Sequence, residues 1–110
     1  MHFIRFMVTV MAGAMLSPVV VADTSTGMAL AQESKCLACH QVDARRVGPP
    51  FQAVAERFAG QPQAQVYLAN VIRNGGRGQW GAIPMPAQTH VNPAQAAALA
   101  DWILSLAKQP

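Results

Sequence analysis

The chain has 110 residues, enough for one domain and too few for several. Eight Lys and Arg residues against five Asp and Glu residues give a formal net charge of +3. This small excess is not the basic footprint of a nucleic-acid-binding domain, so we expect no nucleic-acid partner. A domain of this size buries only a modest fraction of its surface, so a bound apolar group would add to a small core.

Residues 1–22 have the pattern of a secretory signal peptide. A single cation, Arg5, precedes an apolar run that ends in small residues. We therefore expect cleavage between Ala22 and Asp23, which leaves a mature domain of residues 23–110. An uncleaved membrane anchor is the alternative, although the apolar run is short for a spanning helix.

The mature chain shows helical periodicity throughout, and we predict an all-α fold of about four helices. The first helix is expected from about Ser25 or Thr26 to Lys35, with a hydroxyl side chain as its cap. Within it, Gly27 and Ala31 lie one turn apart. Because both are small, they would allow another helix to cross this one closely.

The segment Cys36-Leu37-Ala38-Cys39-His40 carries the strongest functional signal. Two thiols two residues apart, followed by an imidazole, form the attachment signature of c-type haem. The thiols can add to the two haem vinyl groups as thioethers, and His40 is then the predicted proximal iron ligand. A redox disulfide and half of a zinc site are the alternatives for the same spacing. Export to an oxidising compartment permits both a disulfide and haem attachment.

Three more helices are predicted after a loop over residues 41–50. The second helix has an apolar stripe from Phe51 to Phe58, and the third runs from Ala64 to Asn74 before a glycine. The last helix has a strong start signal, with Asn92 as its cap and Pro93 at its first position. No segment has the alternating pattern of a β-strand.

The connection from Gly75 to Val91 is long for so small a domain, and such a stretch usually has a function. Within it, Met85 lies between Pro84 and Pro86, which favour an extended, non-helical backbone. A thioether is a soft ligand suited to haem iron, and His/Met ligation raises the reduction potential. We therefore predict Met85 as the second axial ligand. The alternative is a methionine that only fills the core.

Together these segments resemble a class I cytochrome c of the small bacterial cytochrome c-551 type. The resemblance depends on the haem attachment signature, on Val47-Gly48-Pro49-Pro50, on residues 79–86 and on the last helix around Trp102. It covers essentially all of residues 23–110. It implies the cytochrome c fold, with the helices wrapped around one haem c attached through both cysteines. It also implies an electron carrier with no catalytic residues, rather than an enzyme.

The resemblance assigns roles to two further residues. Pro49 would accept a hydrogen bond from the second imidazole nitrogen of His40 and fix its tautomer. Trp80 would point its indole N–H at a haem propionate. Related proteins often have an asparagine that bonds the ligand sulfur, but here the matching stretch is Gln88-Thr89-His90. The partner of the Met85 sulfur is therefore left open.

The resemblance also implies a location and partners. It places the protein in the periplasm, with membrane cytochrome complexes or blue-copper proteins as donors and acceptors. Nitrite reductase or a terminal oxidase would be the electron sink. Redox encounters of this kind use small contacts, here around Val47 and Ile83, and we expect a monomer.

Three other functions compete with this interpretation. A thiol oxidoreductase would need a depressed pKa at Cys36. A zinc module would recruit His90 together with Cys36, Cys39 and His40. A haem enzyme or gas sensor would require Met85 to leave the iron.

Overall fold

The computed structural model describes residues 8–18 and 24–108. Residues 8–18 contain no helix or strand, and their side chains are exposed. The remainder contains four α-helices, which we number α1 (Thr24–Glu33), α2 (Phe51–Phe58), α3 (Ala64–Asn74) and α4 (Pro93–Ser105). One turn of 3₁₀ helix, Cys36–Ala38, follows α1. The predicted all-α organisation with four helices is confirmed.

The helix bounds agree closely with the sequence-based expectations. The one clear difference is α1, which ends at Glu33 rather than at Lys35. Lys35 has a φ of 66°, and a right-handed helix cannot continue through that left-handed conformation. The predicted cleavage position between Ala22 and Asp23 lies outside the described residues. Within the described parts of the chain, no helix is both long enough and apolar enough to cross a membrane.

Helix α4 is central to the fold, because it contacts α1, α2 and α3. A capping box fixes its start: the Asn92 side chain accepts from the Gln95 backbone N–H at 2.8 Å, and the Gln95 side chain accepts from the Asn92 N–H at 3.0 Å. Pro93 occupies the first turn, where a missing N–H costs nothing. The predicted start of this helix is confirmed.

The crossing of α1 and α4 depends on Gly27. A Cβ atom at Gly27 would lie 2.1 Å from the Trp102 ring, so no larger residue fits without a shift. This confirms the expected close approach at a small residue. The indole of Trp102 in turn meets the ring of Phe51 edge-on, with 5.4 Å between centroids and 72° between planes. The α1–α4 crossing therefore helps to hold Phe51, and the ring of His40 stacks on Phe51.

The hydrophobic core is continuous with an open cleft. Six core residues from α2, α3 and α4 also line that cleft: Phe51, Val54, Leu68, Ile72, Leu99 and Ile103. Each is less than a tenth exposed. The cleft is thus an extension of the core rather than a surface groove.

Candidate haem site

The cleft has a volume of about 1330 Å³, including the space at its mouth. It is lined by all six residues that the sequence assigns to the cofactor: Cys36, Cys39, His40, Pro49, Trp80 and Met85. Most of its remaining lining is apolar, and the residues with permanent charge along it are Lys35 and Arg77. An apolar cleft with soft sulfur and nitrogen donors on its wall suits a haem, whose body is apolar and whose iron binds those donors.

Three neighbours fix the imidazole of His40. Its Nδ1 lies 2.8 Å from the Pro49 carbonyl oxygen, and because a carbonyl only accepts, Nδ1 donates this hydrogen bond. The ring stacks on Phe51 with 4.9 Å between centroids. On another side, a Cβ atom at Gly48 would lie 2.5 Å from the His40 Cε1. In the neutral ring this arrangement leaves the lone pair on Nε2.

The two cysteines lie on a tight turn that directs both toward the cleft. The His40 N–H donates to the Cys36 carbonyl at 3.0 Å, and the Gly48 N–H donates to the Cys39 carbonyl at 2.8 Å. Both thiols are free and half-buried. Burial raises the pKa of the Cys36 thiol, and a hydrogen bond to its own backbone opposes this only in part. A raised pKa disfavours the thiolate, which argues against a thiol oxidoreductase.

Met85 lies at one end of a loop that is tied together at its base. Gly76 and Met85 form an antiparallel bridge, with N–H···O distances of 3.0 Å and 2.8 Å. Gly75 has a φ of +81°, and a Cβ atom there would lie 2.8 Å from the Met85 carbonyl oxygen, so this position requires glycine. The Gln88 N–H donates to the Ile72 carbonyl at 2.9 Å and fastens the outgoing chain to α3.

Trp80 packs against the edge of the hydrophobic core and also contacts two arginines that sequence reasoning does not identify. The guanidinium of Arg57, on α2, lies 4.6 Å from the centroid of the Trp80 ring. The Arg45 side chain donates to the Trp80 carbonyl at 3.4 Å. Both arginines are exposed and far from Trp80 in the sequence, so no local pattern marks them.

His90 does not join the other candidate ligands. Its Nε2 donates to the Ser34 carbonyl at 2.8 Å, and it is not among the residues that line the cleft. Within residues 8–18 and 24–108, no three His, Cys, Asp or Glu side chains are grouped so that they could hold a metal ion. This argues against a zinc module built from His90 and the haem-attachment segment.

Comparisons with known proteins agree with this geometry. The family model described as Cytochrome c matches residues 24–107. The chain is 48% identical over 77 residues to cytochrome c-552 of Nitrosomonas europaea, covering 70% of this chain and 75% of that protein. It is 43% identical over 82 residues to cytochrome c-551 of Pseudomonas denitrificans, covering 74% and 99%. The crystal structure of wild-type N. europaea cytochrome c552 superposes with a TM-score of 0.71 at 47% identity, covering 72% of this chain and 98% of that one.

The family match over residues 24–107 extends over all four helices and includes the attachment segment. The arrangement of four helices around an apolar cleft is therefore the cytochrome c fold. Proteins of this family are electron-transfer proteins rather than enzymes, and they contain covalently bound haem. The chain belongs to the cytochrome c family, as a small class I member with one covalently bound haem c.

Proposed function

We propose that this protein is a periplasmic one-electron carrier whose haem is attached through Cys36 and Cys39 and ligated by His40 and Met85. One observation carries the proposal: two thiols, an imidazole and a thioether line the same apolar cleft. These are the donors that c-type attachment and His/Met ligation require. When bound, the haem supplies an iron that alternates between ferrous and ferric states.

The surroundings of His40 suit an iron ligand. By accepting a hydrogen bond from Nδ1, the Pro49 carbonyl fixes the tautomer and the orientation of the ring, as such partners do for metal-bound histidines. Stacking on Phe51 limits rotation of the ring. Together these contacts keep Nε2 as the nitrogen available to the iron.

Met85 is the methionine best placed to be the second ligand. Met28, the other methionine in residues 24–108, packs against the core and is not among the residues lining the cleft. A thioether at the second axial position raises the reduction potential. With both axial positions filled, no position is left for a substrate, which favours a carrier over a haem enzyme or gas sensor.

We assign Trp80 as a hydrogen-bond donor to a haem propionate. The support is its position in the cleft together with Lys35 and Arg77. No Asp or Glu is among the lining residues that the structure describes. Because these two positive side chains have no carboxylate beside them in the lining, they favour the binding of a haem, whose propionates are negative.

The location and partners are proposed on two grounds. Residues 1–22 have a signal pattern, with cleavage between Ala22 and Asp23 and export to the periplasm. At the cleft, Val47 and Ile83 are 47% and 64% exposed, so an apolar rim is available for brief redox contacts of a monomer. Membrane cytochrome complexes or blue-copper proteins fit such a rim as partners, with nitrite reductase or a terminal oxidase as the electron sink.

The first test combines a visible spectrum with an intact mass, on protein exported by cells that can mature c-type haem. We expect sharp reduced bands, a weak far-red sulfur-to-iron band when oxidised, and the mass of residues 23–110 plus one haem. A haem protein without the far-red band would overturn the assignment of Met85. A colourless protein with a disulfide between Cys36 and Cys39 would overturn the carrier function itself.

A further inference from the structure

Residues 77–84 form the outer part of the loop that carries Trp80, and we call this segment the crown. Its ends are fixed, because Gly76 and Met85 exchange two backbone hydrogen bonds. Between them, no residue of the crown takes part in a backbone–backbone hydrogen bond in the described structure. The crown therefore depends on side chains for its position.

Arg57 makes two contacts with the crown. Its guanidinium lies over the Trp80 ring, 4.6 Å from the centroid, and it also donates a hydrogen bond to the carbonyl of Gln79. The first is a cation–π contact and the second is a charge-assisted hydrogen bond. Arg57 belongs to α2, whose residues Phe51 and Val54 are buried in the core, so its backbone offers a rigid base.

Arg45 reaches the same segment from a different part of the chain. It lies in the loop that follows His40, and its side chain donates to the Trp80 carbonyl at 3.4 Å. Gly78 and Gly81 flank the contacted residues, with φ values of +81° and +112°. Glycine adopts such angles freely in folded and unfolded states. The backbone at these two positions therefore adds little stiffness to the crown.

We propose that Arg57 is a positioning residue which, together with Arg45, holds the crown closed over the cleft and so places Trp80 beside the haem. Without Arg57, the crown opens more often and water reaches the cleft. Water stabilises the more highly charged ferric form, so burial of the site is one determinant of the reduction potential. Arg57 thus limits how often Trp80 moves away from the cleft and contributes to the reduction potential of the haem.

The inference rests on the haem site proposed above, and its test separates the two. It uses the full, haem-loaded chain in the ferrous state and measures hydrogen exchange of the Trp80 indole N–H by NMR. Trp102 is the internal reference, because it is buried at the α1–α4 crossing. In Arg57→Gln we expect exchange at Trp80 to accelerate roughly two- to fivefold, the factor that an exposed cation–π contact supports. Failure of the haem proposal would appear earlier, as an absent c-type spectrum in the unaltered protein.

Control variants test whether the effect of Arg57 depends on its contacts with the crown or only on its positive charge. Arg73→Gln removes the same charge from an arginine that donates to the Val91 carbonyl and is not among the residues lining the cleft. We expect it to leave Trp80 exchange unchanged and to lower the potential less than Arg57→Gln does. Arg57→Lys keeps the charge but loses the planar donor fork, so it should restore slow exchange only in part.

Three results would overturn the proposal. They are unchanged Trp80 exchange in Arg57→Gln, an equal acceleration in Arg73→Gln, and acceleration at Trp102 as large as at Trp80. If Arg57→Gln does not yield a folded haem protein, Arg45→Gln and Arg57→Lys carry the same test. Unchanged Trp80 exchange in both would equally contradict the proposed role.

Discussion

The histidine and methionine sides of the cleft are built from different kinds of contact. His40 is held by Pro49 and Phe51, which are both buried, and by the close approach of Gly48. Met85 packs against the edge of the core. Two backbone hydrogen bonds tie the base of its loop, whose outer residues are mostly exposed. Regions with few buried apolar contacts open with the smallest free energies. We therefore expect the histidine side to be the more rigid part of the site and the methionine side to open more readily.

The largest effect should come from removing the group that joins the two sides. In the double variant Cys36→Ala with Cys39→Ala, the six core residues that line the cleft lose the apolar cofactor that would cover them. A domain this small has little other apolar surface to bury. We expect a largely unfolded chain by far-ultraviolet circular dichroism.

The haem-loaded unaltered protein is the reference for that measurement. A cooperative thermal transition and native-like helical signal in the double variant would contradict the expectation. Such a result would mean that the two sides of the cleft hold together without the cofactor.

Breaking the methionine side alone should change the iron without unfolding the chain. In Met85→Ala we expect the far-red band to vanish and the reduction potential to fall by on the order of 0.1 V, a small part of the roughly 0.8 V span that axial ligands control. The vacated position should then bind added imidazole or cyanide, which absorption titration would detect. Met28→Ala removes a methionine that packs against the core. It should keep the far-red band and the reduction potential, and its iron should not bind added imidazole or cyanide.

Breaking the histidine side should instead reduce stability. Gly48→Ala places a Cβ atom 2.5 Å from the His40 ring, and overpacking of this kind costs about 1–3 kcal/mol. Denaturant unfolding of the haem protein would measure the loss. The matched control is Gly76→Ala on the methionine side, where the nearest atom to the new Cβ is a Val71 methyl at 3.2 Å. Equal losses in the two variants would show that the histidine side is no more rigid than the other.

Features that depend on local sequence patterns could be predicted from the sequence, whereas features that depend on tertiary contacts could not. The starts of α2, α3 and α4 depend on local patterns of proline, capping and apolar residues, and these were sufficient. The end of α1 was not, because nothing in the sequence requires Lys35 to adopt a positive φ. The Arg57–Trp80 contact joins residues of α2 and of a distant loop. A contact of this kind depends on the tertiary fold and leaves no periodic signal.

A substitution outside both the histidine and the methionine sides of the cleft should lower the stability of the fold and leave the ligands of the iron unchanged. Asn92→Ala removes the side chain that accepts from the Gln95 N–H at the start of α4, and loss of such a cap costs about 1 kcal/mol. We expect denaturant unfolding at a lower midpoint, with the same far-red band and the same potential. Asn92→Asp retains an acceptor and should keep most of the stability. A shifted potential in Asn92→Ala would show that α4 transmits strain to the ligands, since this helix carries Leu99 and Ile103 of the cleft lining.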